Sequence, residues 1–239
     1  MKDKVTVCMA VYNGQKYLNE QINSILIQLR EYDELIISDD GSKDMTSSIL
    51  ESYAKSDNRI KVIIGPCQGV VKNFENALYC ATGDYIFLCD QDDVWNRDKI
   101  SLCLTFLAEY DLILTNCSVV DRNLNVIHKS FFSVNQLKQG FFGNIHHNSY
   151  IGCCMAFNRK VLELSLPFPK NLPMHDWWIG LISNLFGKVK YYDNPLILYR
   201  RHESNVSDTG MVSKYRWYKK IYFRFNLLTN LLFRFINRC

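Results

Sequence analysis

ATGDYIFLCDQDDVW, residues 81–95, puts a turn, an apolar strand and a carboxylate cluster in immediate succession. Thr82-Gly83-Asp84 is turn chemistry, Tyr85–Cys89 reads as a short buried strand, and Asp90-Gln91-Asp92-Asp93 follows without a spacer. Working outward from it, Val5–Val11, Leu35–Ser38 and Ile60–Ile64 are further strand-like runs. Tyr17–Leu29 and Gly69–Cys80 repeat apolar residues at helical spacing. Met45–Tyr53 reads as a helix behind Ser42 and Asp44, either of which can cap it. This alternation predicts an α/β fold with a mostly parallel central sheet flanked by helices.

Beyond residue 116 the pattern loosens. Strands are expected near 116–121, 150–157, 188–192 and 196–200, with a helix over Asp176–Phe186, completing the core and adding a second wall. The expected organisation is one domain over 1–210, divided into a nucleotide-binding half (1–115) and an acceptor-binding half (116–210). A basic aromatic amphipathic tail follows over 211–239.

Composition narrows the classes. With 239 residues, 48% hydrophobic and 22% charged, the chain can bury one sizeable core, which excludes a disordered or fibrous protein. Nine cysteines, an odd number with no CxxC pair, argue against a disulfide framework and against a thiolate metal site. No run reaches the roughly 18–20 apolar residues that cross a bilayer, and Met1-Lys-Asp-Lys4 opens directly into a strand with no signal-peptide core. A cytoplasmic location is expected. The net charge of +4 is uneven: the stretch from Lys214 onward has seven basic and no acidic residues, so residues 1–213 carry −3. That profile does not predict nucleic-acid binding. The tail WYKKIYFRFNLLTNLLFRFINRC suits a helix lying on an anionic membrane surface, or one packed on the body or a partner subunit.

In open α/β sheets ligands bind beyond the carboxyl ends of the strands. Ser38-Asp39-Asp40-Gly41-Ser42 and Asp90-Gln91-Asp92-Asp93 both fall there. Each alone can be a solvated turn capping the next helix. Five carboxylates at neighbouring strand ends repel one another unless a cation or donors meet them. Hard oxygen ligands suit Mg²⁺ or Mn²⁺ shared with phosphate, and a carboxylate after the second strand suits ribose hydroxyls or a pyrimidine N–H. Together these describe a metal-assisted nucleoside-diphosphate site.

VCMAVYNGQKYLNEQINSIL (7–26), ISDDGSKDMT (37–46) and ATGDYIFLCDQDDVW resemble the hallmark segments of the family 2 glycosyltransferases with the GT-A, Rossmann-like fold. GCCMAFNR (152–159), MHDWW (174–178) and YRRHESN (199–205) extend the similarity. The combination is similar to bacterial enzymes of surface-polysaccharide assembly, O-antigen or capsule, including rhamnosyltransferases. The resemblance implies an inverting transfer from dTDP-rhamnose or a UDP-hexose to a polyprenyl-diphosphate-linked glycan, with Mn²⁺ or Mg²⁺. It implies that Asp40 and the Ala10–Tyr12 strand end bind the base, that Asp90 approaches the ribose, and that Asp39 and Gln91 also belong to the donor site. Lys72 would contact the diphosphate, while Asp92 and His202 would hold the metal. Gly152 would lie under the sugar, and Asp176 would be the catalytic base. Trp177 and Trp178 would stack on the acceptor or pack the core. The family more often shows Glu-Asp where this chain has His175-Asp176. A catalytically inactive scaffold and a sugar nucleotidyltransferase are the alternative readings.

Overall fold

The computed structural model describes residues 3–202 and 216–236. The first half runs β1 (Val5–Val11), α1 (Leu18–Leu26), β2 (Glu34–Asp39), α2 (Thr46–Ser56), β3 (Ile60–Ile64), α3 (Val70–Cys80) and β4 (Tyr85–Asp90). Then come β5 (Val94–Trp95), α4 (Lys99–Leu107), β6 (Leu112–Val120), β7 (Val126–His128), α5 (Phe131–Val134), α6 (Gly140–His146), β8 (Met155–Asn158) and α7 (Arg159–Ser165). The last elements are α8 (His175–Phe186), β9 (Val189–Arg200) and α9 (Trp217–Ile236).

The strands form one sheet in the order β3-β2-β1-β4-β8-β6-β9-β5, with β7 added on β6. β3, β2, β1 and β4 are parallel, as the strand–helix alternation predicts. β8 then enters antiparallel between β4 and β6, β9 runs parallel to β6, and β5 antiparallel to β9. The longer ladders are therefore parallel, as expected, and short antiparallel pairings at β8, β5 and β7 make the whole sheet mixed. All seven residues of β1 are buried, since its strand has sheet neighbours on both edges and helices over both faces. Each such aliphatic side chain contributes about 1.5–3 kcal/mol by leaving water.

Register sets the position of the acids. Ala10 pairs with Asp90 across β1 and β4, and Val11 with Asp39 across β1 and β2. Both acidic clusters thus leave the sheet at the same edge. Asn73 on α3 pins that edge by donating to the carbonyls of Val11 and Ser38 at 3.2 and 2.8 Å.

The second half differs in detail. The strand expected near 116 begins at Leu112, and the two expected at 188–192 and 196–200 are one strand with register shifts opposite Thr115–Ser118. Of 150–157 only Met155 onward is extended, because Gly152–Cys154 forms a tight 3-10 turn. No helix is predicted over 99–107, 131–134, 140–146 or 159–165, where α4 to α7 form. Three of these span only four to seven residues, too short to show periodicity. The tail forms α9, while the boundary expected at 210 lies outside the described residues.

Candidate active site

A cleft of about 1370 Å³ opens along the carboxyl ends of β1, β2 and β4 and is closed on its far side by the start of α8 and the end of β9. Ala10, Tyr12, Asp40, Asp90, Gln91, Asp92, Gly152, Asp176 and His202 all line it. The first and last of those residues are 192 positions apart in sequence, and the topology brings them together.

At the β2 end, Asp40 Oδ2 accepts the N–H of Gly69 at 2.8 Å, and its other oxygen is buried without a protein partner. Gly69 stands at φ +86° ahead of α3, a conformation that favours glycine and turns its N–H onto the carboxylate. The unpartnered oxygen is an acceptor awaiting a donor. Beside it, Gln91 grips the backbone of Tyr12 twice: the Tyr12 N–H donates to Oε1 at 2.8 Å and Nε2 donates to the carbonyl at 3.1 Å. Gln91 therefore ties the β1 end to the β4 end.

The far end of the cleft holds the metal candidates. Asp92 is buried, and its Oδ2 lies 2.8 Å from Nε2 of His202. The His202 ring stacks on Tyr17 at 4.9 Å. Burial, with the charges of Asp92 and Asp176 adding to it, pushes the Asp90 carboxyl up to about 7. So much negative charge at one mouth, with carboxylate and imidazole donors, fits a hard or borderline divalent ion such as Mg²⁺ or Mn²⁺. Asp90, Asp93 and Cys153 also bring ligand atoms within 4.8 Å of one another. Asp93 and Cys153 are fully buried, and a hydrogen bond with Cys154, with burial adding to it, pushes that thiol's pKa well up, so this trio does not suit an oxygen-seeking ion.

Asp176 sits in the first turn of α8 with Oδ1 accepting the Trp177 N–H at 2.6 Å. Burial dominates its environment and raises its carboxyl to about 7, against the backbone N–H donors that favour the charged form. That value suits a general base near neutral pH. His175, immediately before it, is buried and stacked on Phe74 at 4.1 Å. Both its ring nitrogens lack protein partners, and burial lowers its pKa to about 3, so the imidazole is neutral.

Four of the expected site residues do not line the cleft. Asp39 does not line the cleft: Oδ1 accepts the N–H and hydroxyl of Ser42, and Oδ2 the hydroxyl of Ser47. It braces the turn into α2. Lys72 also lies off the cleft, paired with Glu75 one turn along α3. Trp177 and Trp178 are both buried, their indole N–H groups donating to the carbonyls of Asn144 and Ser165. They are packing residues rather than a platform for a sugar.

Arg200 is the residue the sequence conceals. It is buried, pairs with Glu20, donates to the carbonyls of Asp92 and Arg122 at 2.8 Å, and lies over the Tyr17 ring at 4.4 Å. Its backbone N–H donates to Asp93 Oδ1 at 3.0 Å. The YRRH run signals cationic chemistry, yet nothing in it says that the first arginine faces inward to hold the Asp90–Asp93 loop.

The family model for glycosyl transferase family 2 matches residues 6–165, and the chain belongs to that family. An uncharacterized glycosyltransferase of Haemophilus influenzae is 36% identical over 92% of this chain and 88% of its own length. The putative teichuronic acid biosynthesis glycosyltransferase TuaG of Bacillus subtilis is 27% identical over 97% and 91%. The dTDP-rhamnosyl transferase RfbG of Shigella flexneri is 28% identical over 89% and 81%. The chain spans 67% and 66% of two longer relatives, from Haemophilus influenzae and Nostoc. Among solved structures, residues 1–349 of TarS from S. aureus in complex with UDP-GlcNAc superpose with a TM-score of 0.74 at 21% identity, covering 95% of this chain and 67% of that one. The mannosyltransferase PcManGT of Pyrobaculum calidifontis, in complex with GDP-Man and Mn²⁺, gives 0.65 at 20% identity, covering 86% and 59%. Both share the GT-A-like fold.

Proposed function

We propose that the protein is an inverting, metal-dependent glycosyltransferase of bacterial surface-polysaccharide assembly. It takes dTDP-rhamnose or a UDP-hexose as donor and a polyprenyl-diphosphate-linked glycan of O-antigen or capsule type as acceptor. The observation that carries this reading is the convergence of Asp40, the Asp92–His202 pair and the near-neutral Asp176 carboxyl on one cleft. The names of TuaG and RfbG support polysaccharide chemistry, and the donors bound by TarS and PcManGT support a nucleotide sugar.

In this reading the unpartnered Asp40 oxygen accepts a nucleobase N–H, and the β1 end at Ala10–Tyr12 forms the wall against the ring. Asp90, which lines the same cleft, would meet the ribose hydroxyls. Asp92 and His202 would hold Mn²⁺ or Mg²⁺, which when bound supplies Lewis-acid stabilisation of the departing diphosphate. Asp176 takes the proton of the acceptor hydroxyl as its oxygen attacks the anomeric carbon opposite the leaving group. The transition state has oxocarbenium character, as in glycoside hydrolysis. A lipid-linked acceptor places the enzyme peripherally on the inner face of the cell membrane. No helix among the described residues is long and apolar enough to cross one.

The test is a donor panel. UDP-, dTDP-, GDP- and CMP-sugars are titrated into purified protein with and without Mn²⁺. Metal-dependent binding of one pyrimidine sugar nucleotide is expected. No binding by any donor to folded protein would leave the inactive-scaffold reading.

A further inference from the structure

α9 is seated on the body by one face only. Leu227 and Leu231 are buried beneath it, and Phe235 meets Phe186 with ring centroids 6.0 Å apart. Arg224 donates to the carbonyls of Ile145 and His146, and Arg234 donates to those of Leu166 and Pro167 at 2.6 Å. Asn226 adds a bond to the carbonyl of Asn171 at 3.0 Å. Two of the tail's arginines are therefore spent on the protein itself, holding α9 as a fixed part of the catalytic body.

The opposite face is largely apolar along its length. Trp217, Ile221, Phe225, Leu228, Leu232 and Ile236 follow one another at spacings of three and four residues, which places them in a single stripe. They are 43–74% exposed. Tyr218, Tyr222 and Phe233 widen the stripe. A 20-residue helix is about 30 Å long, so this is a contiguous patch far beyond scattered surface hydrophobes. Arg216 and Lys219 are exposed at its N-terminal end, with Lys220 half-buried beside them.

We propose that this stripe is a lipid-docking face that lies in the interface of an anionic bilayer. Charge selects the occupant. From Lys214 to the end the chain has no acidic residue, so a second copy of the same face brings only like charge, whereas anionic headgroups meet Arg216, Lys219 and Lys220. The rings of Trp217, Tyr218 and Tyr222 have an apolar body and a polar tip, which suits the headgroup boundary. The inference deepens the proposed function by naming the surface that brings the enzyme to a lipid-linked acceptor.

The seating of α9 also fixes which side of the body meets the lipid. The indole of Trp177 binds the carbonyl of Asn144, next to the two held by Arg224. The indole of Trp178 binds that of Ser165, next to the two held by Arg234. α9 and the first turn of α8, which carries Asp176, thus grip the same two backbone segments. The bilayer is held on the α8 side of the protein.

The test uses the full chain and vesicles of phosphatidylcholine with or without phosphatidylglycerol, read by co-sedimentation, with no donor or acceptor present. Binding is expected on phosphatidylglycerol vesicles and is expected to fall as salt is raised. Phe225→Asp with Leu232→Asp should weaken it about a hundredfold while leaving the unfolding temperature in place, because both side chains point away from the body. Lys219→Glu with Lys220→Glu should remove the preference for the anionic lipid. The proposal is overturned if the wild-type protein stays in the supernatant. It is overturned equally if the wild type self-associates and Phe225→Asp with Leu232→Asp disperses it without any vesicle binding. Donor binding measured on the same samples separates this outcome from failure of the catalytic reading.

Discussion

Asp92 and His202, 110 residues apart, meet at 2.8 Å because the β4–β5 loop and the end of β9 are drawn to the same mouth. Tyr17 stacks on the imidazole at 4.9 Å, and Arg200 lies over the same Tyr17 ring at 4.4 Å, so the pair is oriented from behind. A pair in this geometry shares one ion better than either side chain does alone. His202→Ala is expected to weaken Mn²⁺-supported donor binding by about 10–100-fold, and Asp92→Asn by at least as much. Isothermal titration of Mn²⁺ into protein with the cognate nucleotide sugar reads this directly. Metal affinity unchanged by both substitutions would remove the pair from the metal site.

With Asp176 as the proposed base, the reaction takes its pH dependence from this carboxyl. With its carboxyl near 7, the base ionises as pH rises through neutrality, so transfer should climb between about pH 6 and 8 and then level. Asp176→Asn should keep donor binding and lose transfer by about 10²–10⁴-fold. Stability runs the other way. The folded-state value lies above the unfolded value of about 3.9, so between those values the folded state keeps a proton that the unfolded chain has released. Stability is then lost as pH rises from about 4 to 7, by at most about 1.4 kcal/mol per unit. Urea unfolding of wild type and Asp176→Asn at pH 5 and pH 8 checks the sign: the variant should lose less on going to pH 8.

The sequence made much of this legible. The parallel half was readable because each strand is a short apolar run between turn residues, and Asp40, Asp90, Asp92 and Asp176 could be singled out by their positions at element ends. What stayed hidden depends on partners distant in sequence. Asp39 and Asp40 are identical neighbours, yet one braces the turn into α2 through Ser42 and Ser47 and the other faces the cleft. Trp177 and Trp178 follow Asp176 directly, but in a helix buried over its first nine residues successive side chains both find the interior. The antiparallel entry of β8 comes from pairing between residues such as Phe87 and Ala156, which no local pattern encodes.

Gly152 and His175 form a second testable contact. A Cβ at Gly152 would stand 2.8 Å from His175 Nε2, and the ring cannot swing away because Phe74 stacks on it at 4.1 Å. Gly152→Ala should therefore displace the start of α8, costing about 1–3 kcal/mol of stability and about 10²-fold in transfer. Combining it with His175→Ala vacates the space, so the double variant should be more stable than the sum of the single losses predicts. Strict additivity in thermal unfolding would show that the two residues do not press on each other.

Arg200 carries the last prediction. It joins Glu20 on α1, the Asp92 carbonyl in the acidic loop and the Arg122 carbonyl after β6, all from a buried position. Arg200→Met keeps the apolar stem and removes the fork, leaving those carbonyls without its donors and the acidic loop without the buried cation bonded to it. Truncating one partner of a buried charged network costs about 3–5 kcal/mol, which in a chain of this size lowers the unfolding temperature by roughly 6–20 °C. Arg200→Lys should rescue little, since an ammonium cannot reach three acceptors from one plane. Because the same guanidinium holds the Asp92 backbone, Mn²⁺ affinity should fall in both variants even at temperatures where they remain folded. A variant that unfolds early yet binds Mn²⁺ normally at low temperature would limit Arg200 to holding the fold and leave the orientation of Asp92 to His202 and the loop itself.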